Sequence, residues 1–266
     1  MSRLELAKKI AAEAGDLTLR YFYQSDLAVE RKEDKTPVTV ADRGAEEFLR
    51  CRIGEAFPDD AILGEEFPEK AGTSGYRWIL DPIDGTKSFI HGVPIYSTLI
   101  GIEKEGESLI GIIALPALGE ILWAEKGGGT WWESPRFSQP KRARVSQKER
   151  LDESLFLISE MISFDQCGRR DVYTQLERKA LLTRNWGDAY GYYLVATGRA
   201  ELIVDPIMCL WDNAPLLVIM EEAGGIFTDW KGNRTIFNEE GIASNGRFHE
   251  QVIELTAKFE KKFQAT

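Results

Sequence analysis

One stretch constrains this chain more than any other: an apolar run, Trp78-Ile79-Leu80, leads directly into Asp81-Pro82-Ile83-Asp84-Gly85-Thr86. The run reads as the end of a buried strand, and Pro82 between the two acids stiffens the exit. The pattern recurs elsewhere. Ala61-Ile62-Leu63-Gly64 feeds Glu65 and Glu66, and Trp211 precedes Asp212-Asn213-Ala214-Pro215. A carboxylate delivered by a buried strand is costly to leave unpaired, because desolvation raises its pKa and disfavours an isolated charge. Few cations stand nearby in the chain, so a divalent ion is the natural partner. A Glu and three Asp form an all-oxygen donor set that suits Mg²⁺ rather than zinc. The plainer reading is capping: Asp84 ahead of Gly85 to Phe89, and Asp212 with Pro215 in the first turn, both fit helix N-termini. Two acids three apart, a rigid proline and an immediate helix start favour a site instead. Backbone N–H groups of Gly85 and Thr86 would then face a phosphate beside the metals.

Other machinery is absent. There is no G-x-x-x-x-G-K-[ST], G-x-G-x-x-G or G-x-S-x-G, and the two histidines, His91 and His249, cannot form H-E-x-x-H. His91, next to Gly92 and near Pro94, reads as a loop residue. The net charge of -10 over 266 residues disfavours nucleic-acid and anionic-membrane partners. An anionic substrate would therefore need bound cations. Cys51, Cys167 and Cys209 lie far apart without C-x-x-C spacing, which argues for buried reduced thiols over a disulfide framework. The first residues lack the apolar core of a signal peptide, and no window reaches membrane-spanning length, so a cytoplasmic location is expected.

Apolar residues at steps of three and four mark a helix from Leu4 to Tyr23 and a second that starts near Asp42 and runs through Ile53. Between 95 and 125, apolar runs alternate with turns as a strand meander, which Gly127-Gly128-Gly129 is expected to close. Basic residues from Arg136 to Arg150 read as a solvated connection between two halves, roughly 1–135 and 136–266, of one catalytic unit. Leu155 to Ile158 and Leu202 to Val204 read as strands, Tyr190 to Thr197 and Asn213 to Ala223 as helices, the latter stopped by Gly224-Gly225. Mixed elements without strict β-α-β alternation indicate an α+β or layered α/β architecture.

On Gly64-Glu65-Glu66, the Trp78 to Thr86 stretch, Trp211-Asp212-Asn213-Ala214-Pro215 and Glu221-Ala223-Gly224-Gly225, in that order, the chain resembles the inositol monophosphatase superfamily of magnesium-dependent, lithium-sensitive phosphatases. The resemblance implies an α-β-α-β-α layered sandwich, commonly dimeric, acting on small phosphomonoesters. It implies that Glu65, Asp81 and the Ile83 carbonyl hold one Mg²⁺, and that Asp81, Asp84 and Asp212 hold a second. A third, weaker ion would lean on Glu65. Thr86 and Asp42, the latter in Val38-Thr39-Val40-Ala41-Asp42, would orient and deprotonate the attacking water, and Lys32 falls where the family places a basic residue near the phosphate.

Within that superfamily, Gly187-Asp188-Ala189-Tyr190-Gly191-Tyr192 is similar to the Gly-Asp-x-Tyr-Gly-Tyr of bacterial histidinol-phosphate phosphatases, as are Phe89 to Pro94 and Lys35 to Thr39. The implied reaction is hydrolysis of histidinol phosphate in histidine biosynthesis. The alternative is an inositol-1-monophosphatase or a broad sugar-phosphate phosphatase. A substrate carrying an ammonium and an imidazole would favour extra carboxylates. Asp188 is the candidate amine partner, its plain alternative being a cap for the Tyr190 helix. Asp205, where the family more often has Glu, would contact substrate. Two other classes remain: a haloacid-dehalogenase-type phosphatase, whose D-x-D-G-T differs from the D-x-x-D-G-T found here, and a noncatalytic binding protein.

Overall fold

The computed structural model describes residues 1–24, 27–32 and 36–261. Lys35, one of the residues carrying the resemblance, lies outside them. Helix α1 (Arg3–Leu19) begins at a capping box: Ser2 Oγ accepts from the Glu5 N–H at 3.2 Å, and the Glu5 carboxylate accepts from the Ser2 nitrogen at 2.7 Å. It ends before the expected Tyr23, because Tyr21 to Tyr23 form a turn in which Tyr23 takes a positive φ of 68°. Strands β1 (Val29–Arg31) and β2 (Pro37–Thr39) form a small antiparallel pair that leads into α2 (Val40–Ala56).

The larger sheet has seven strands in chain order: β3 (Ala61–Gly64), β4 (Tyr76–Asp84), β5 (Ser97–Lys104), β6 (Glu107–Leu115), β7 (Glu120–Glu125), β8 (Gly129–Glu133) and β9 (Lys141–Arg142). Between β4 and β5 lies the short helix α3 (Thr86–Ile90). The second sheet comprises β10 (Leu155–Leu157), β11 (Leu182–Arg184), β12 (Leu202–Asp205), β13 (Ile226–Thr228) and β14 (Gly241–Ser244), in spatial order β11-β10-β12-β14-β13. Its helices are α4 (Met161–Gln166), α5 (Arg170–Lys179), α6 (Ala189–Ala196), α7 (Leu210–Glu222) and α8 (His249–Thr256).

Successive strand residues face opposite ways, and the core divides accordingly. Trp78, Leu80 and Ile112 pack under α1 and α2, whereas Ile79, Leu99 and Ile113 pack against α6 and α7. From the far side, Leu157, Ile203 and Ala243 join this central layer, while Phe156, Val204 and Ile242 face α4, α5 and α8. The result is five layers, α-β-α-β-α. The central helix layer approaches the larger sheet closely because Gly101 and Gly111 are register partners in β5 and β6. A Cβ on Gly111 would stand 2.2 Å from the Pro215 carbonyl oxygen, and one on Gly101 would stand 2.5 Å from Ala214 Cβ. These paired glycines form a trough in which α7 rests.

Three expectations are corrected. The triple glycine does not close the meander: Gly129 opens β8, which pairs with β7. The basic segment after Arg136 is not simply a solvated connection, since Lys141 and Arg142 add an edge strand and Ala143 and Val145 are buried. Exposed charges conceal this in the sequence, because the inward residues are few and separated. Of the cysteines only Cys167 is buried; Cys51 and Cys209 are exposed. Among the described residues, no helix is long and apolar enough to cross a membrane.

Candidate active site

Asp81 and Asp84 stand three apart, so a regular strand would send them to opposite faces. The register shows why it does not: Asp81 pairs with Leu99 and Asp84 with Ser97, so β4 spends one residue more than β5 between them. This is a β-bulge at Pro82, whose missing N–H could not have continued the ladder. The Pro82 carbonyl instead accepts from Thr98 Oγ1 at 2.9 Å, and Asp81 Oδ1 accepts the Ile83 N–H at 3.0 Å. Both acids turn to the same side. There they meet Asp212 from the start of α7, with one carboxylate oxygen from each of the three lying within 4.8 Å of the others.

Burial, reinforced by Glu65, Asp84 and Asp212, drives the Asp81 pKa well above the usual carboxylate range. Asp84 rises likewise through burial and the charges of Asp188 and Asp212, although Ser97 Oγ at 2.7 Å and the Ala189 N–H at 2.9 Å stabilise its anion. Asp212 is pushed up to about 7, mainly by desolvation. Three oxygen donors that repel one another and resist ionising in a partly dry corner match a hard dication. The donor set therefore fits Mg²⁺.

The capping readings now separate. Asp84 does not cap α3, whose N-cap position is held by Gly85, with φ 77°, without a side-chain bond; it accepts instead the Ala189 N–H that opens α6. Asp212 does both jobs, its Oδ2 accepting the Cys209 N–H at 2.7 Å from the third position of α7. Asp188 precedes α6 yet makes no capping bond; its carboxylate lies over Gly85, where a Cβ would be 2.7 Å from Asp188 Oδ2.

Glu65 stands beside the three-acid cluster rather than within it. Lys32 Nζ lies 2.6 Å from Glu65 Oε1 and 2.5 Å from Glu66 Oε1, so Lys32 serves these acids directly. Burial works against its ammonium, but the two carboxylates prevail and raise its pKa. The turn carrying Glu65 is gripped from behind by fully buried Glu46, which accepts the Glu66 N–H at 2.8 Å and Arg50 Nε at 2.7 Å. A Cβ at position 64 would stand 2.1 Å from Glu46 Oε1, so any side chain there would displace the carboxylate that grips this turn.

Asp42 is buried, with Oδ2 accepting the Thr39 N–H at 2.8 Å and Thr39 Oγ1 at 2.6 Å. Its other oxygen is 3.5 Å from Thr86 Oγ1, which also donates to the Ile83 carbonyl at 3.1 Å. Burial lifts Asp42 to about 6 despite the Thr39 bonds. Asp205 is held behind the cleft wall by the Ser159 N–H at 2.8 Å and Tyr192 Oη at 3.0 Å, facing an inner pocket of about 60 Å³. The open cleft, about 240 Å³, is lined by Glu65, Asp81, Asp84, Thr86, Asp188 and Asp212 among others. Lys87, Ser159, Glu160, Ser163 and Trp211 also line it. Of these, only Trp211 carries a sequence signal, as neighbour of Asp212.

A profile described as "Inositol monophosphatase family" matches residues 2–261. A histidinol-phosphatase of Chlorobaculum parvum is 46% identical, with 91% of each chain covered. A histidinol-phosphatase of Streptomyces coelicolor is 39% identical over 94% of this chain and 95% of its own. Among solved structures, a Thermotoga maritima IMPase superposes with a TM-score of 0.86 at 32% identity, covering 97% of this chain and 98% of its own.

Proposed function

Because the chain belongs to the inositol monophosphatase family and is a phosphoric monoester hydrolase, we propose that it hydrolyses L-histidinol phosphate to L-histidinol and phosphate. The observation that carries this reading is the placement of Asp188, whose carboxylate lies over Gly85 instead of capping α6. A phosphate at the Gly85–Thr86 turn would put its alcohol half beside that carboxylate, which suits an ammonium. The histidinol-phosphatase relatives support the same substrate.

Asp81, Asp84 and Asp212, with Glu65 and the Ile83 carbonyl, would hold Mg²⁺. When bound, the ion polarises the phosphoryl group and makes water more acidic, from a pKa of about 15.7 toward about 7. Thr86 Oγ1, between the Ile83 carbonyl and Asp42, orients the attacking water, and Asp42 takes its proton. Asp42, lifted to about 6, keeps a pKa near the operating range of a general base. The new bond joins water oxygen to phosphorus as the ester P–O bond breaks, and the departing alkoxide is reprotonated from solvent. Gly85 and Thr86 offer backbone N–H groups to the phosphate oxygens. The working assembly would be a homodimer.

A second reading, an inositol-phosphate or broad sugar-phosphate phosphatase, is favoured by the likeness to the Thermotoga IMPase. Turnover of histidinol phosphate, inositol 1-phosphate and an aryl phosphate in Mg²⁺ separates the two. We expect histidinol phosphate to be preferred, and Asp188→Asn to weaken its use far more than that of the aryl ester. A strong preference for inositol 1-phosphate would reverse the assignment.

A further inference from the structure

Glu160 and Lys87 stand outside the carboxylate cluster and outside the Asp42–Thr86 pair, yet both line the cleft. Lys87 follows Thr86 on α3, and Glu160 immediately precedes α4, so the two come from different halves of the chain. Their side chains form an ion pair on the lining of the cleft. Lys87 is 61% exposed and Glu160 34%. An exposed pair contributes little net stability, so competing charges exchange with it at small cost. Asp188 completes the arrangement: burial raises its pKa first, the Glu160 charge raises it further, and Lys87 opposes the rise. Lys87 thus pairs with Glu160 while its charge also acts on Asp188, which lies over Gly85.

We infer that Glu160 is a specificity-determining residue that takes the cationic arm of the substrate, displacing Lys87, which turns to the phosphate. The inference rests on the phosphatase reading above and extends it to a substrate class: phosphomonoesters whose alcohol carries a protonated amine or imidazolium. Such a substrate is dipolar, and the Glu160–Lys87 pair is dipolar in the complementary sense. Its phosphate gives Lys87 a new partner while its cation replaces Lys87 at Glu160. A neutral alcohol offers Glu160 nothing, so moving Lys87 would leave that carboxylate unpaired near Asp188. The pair therefore selects against neutral esters as well as for cationic ones.

The test compares kcat/KM for histidinol phosphate and glycerol phosphate in Mg²⁺ for the wild type, Glu160→Gln, Lys87→Gln and the double variant. We expect Glu160→Gln to lower the cationic-to-neutral ratio about tenfold, mainly through KM, the scale of losing one charged hydrogen bond. Lys87→Gln should keep a preference for the cationic ester, because Glu160 remains to take its cation. The double variant should show the ratio of Glu160→Gln, and added salt should shrink the wild-type ratio. Equal losses on both esters in Glu160→Gln, with the wild-type preference preserved, would overturn the role of Glu160. A wild type without preference for the cationic ester would overturn the histidinol-phosphate reading itself.

Discussion

Asp84 does the most at the scale of single residues, because it meets Asp81 and Asp212 while accepting bonds from Ser97 and Ala189. Asp84→Asn keeps the shape and removes the charge, so kcat should fall by at least about 10², as when a key electrostatic group is lost. Steady-state rates in saturating Mg²⁺ check this, and near-normal turnover would remove Asp84 from the ligand set. Asp205 makes a pH prediction. Burial lifts it to about 7, whereas an unfolded Asp titrates near about 3.9. Its protonated form is thus favoured by folding, and the contribution is full below about 4 and lost as pH rises toward 7. In EDTA, Asp205→Asn should flatten the decline of stability over that window, by at most about 1.4 kcal/mol per pH unit for one proton. Denaturant melts at several pH values measure it; parallel slopes would count against the buried acid. The clustered acids were legible because each follows its own strand end. Glu160 and Lys87 were not, since neither sits in a local pattern and only the fold sets them face to face. The setting of Asp205 was not legible either, since Ser159 and Tyr192, which hold its carboxylate, come from elsewhere in the fold.

Among elements, α7 matters most to the site, for it brings Asp212 to the end of β4. Its depth is set by the glycine trough, so Gly111→Ala would press a methyl against the Pro215 carbonyl. We expect a loss of about 1–3 kcal/mol, as for overpacked cores, together with weaker Mg²⁺ binding because Asp212 lies on the lifted helix. Calorimetric titration beside a thermal melt checks both, and an undisturbed melting temperature would show that the trough has slack. The helices α1 and α2 were readable from apolar spacing at three and four, and the end of α7 from the Gly224-Gly225 stop. Strand β9 was not, because two charged edge residues carry no alternation. The bulge at Pro82 was only half readable: the proline announced an interruption, but the pairing with Ser97 that turns Asp84 inward depends on β5.

At the scale of the whole molecule, stretches far apart in sequence share one central core, since Ile79, Leu99 and Ile113 pack with Tyr192, Leu216 and Phe227. From the residues alone layering was legible only as a mixture of elements, because which sheet a strand joins is decided by partners distant in sequence; the five-layer order came from the family resemblance. Shared packing predicts a single unfolding transition without separate halves. Chelation should lower its midpoint, and Mg²⁺ at about 100 times its Kd should restore about 2.7 kcal/mol. Fluorescence and circular dichroism melts with and without EDTA test this, and two resolved steps would contradict the common core. The acids of the cluster also come from distant parts of the chain, Asp81 and Asp84 from the end of β4 and Asp212 from the start of α7. A nascent chain emerging from the ribosome therefore carries Asp81 and Asp84 well before Asp212, and the three carboxylates can meet only once α7 has been made and has docked in its glycine trough.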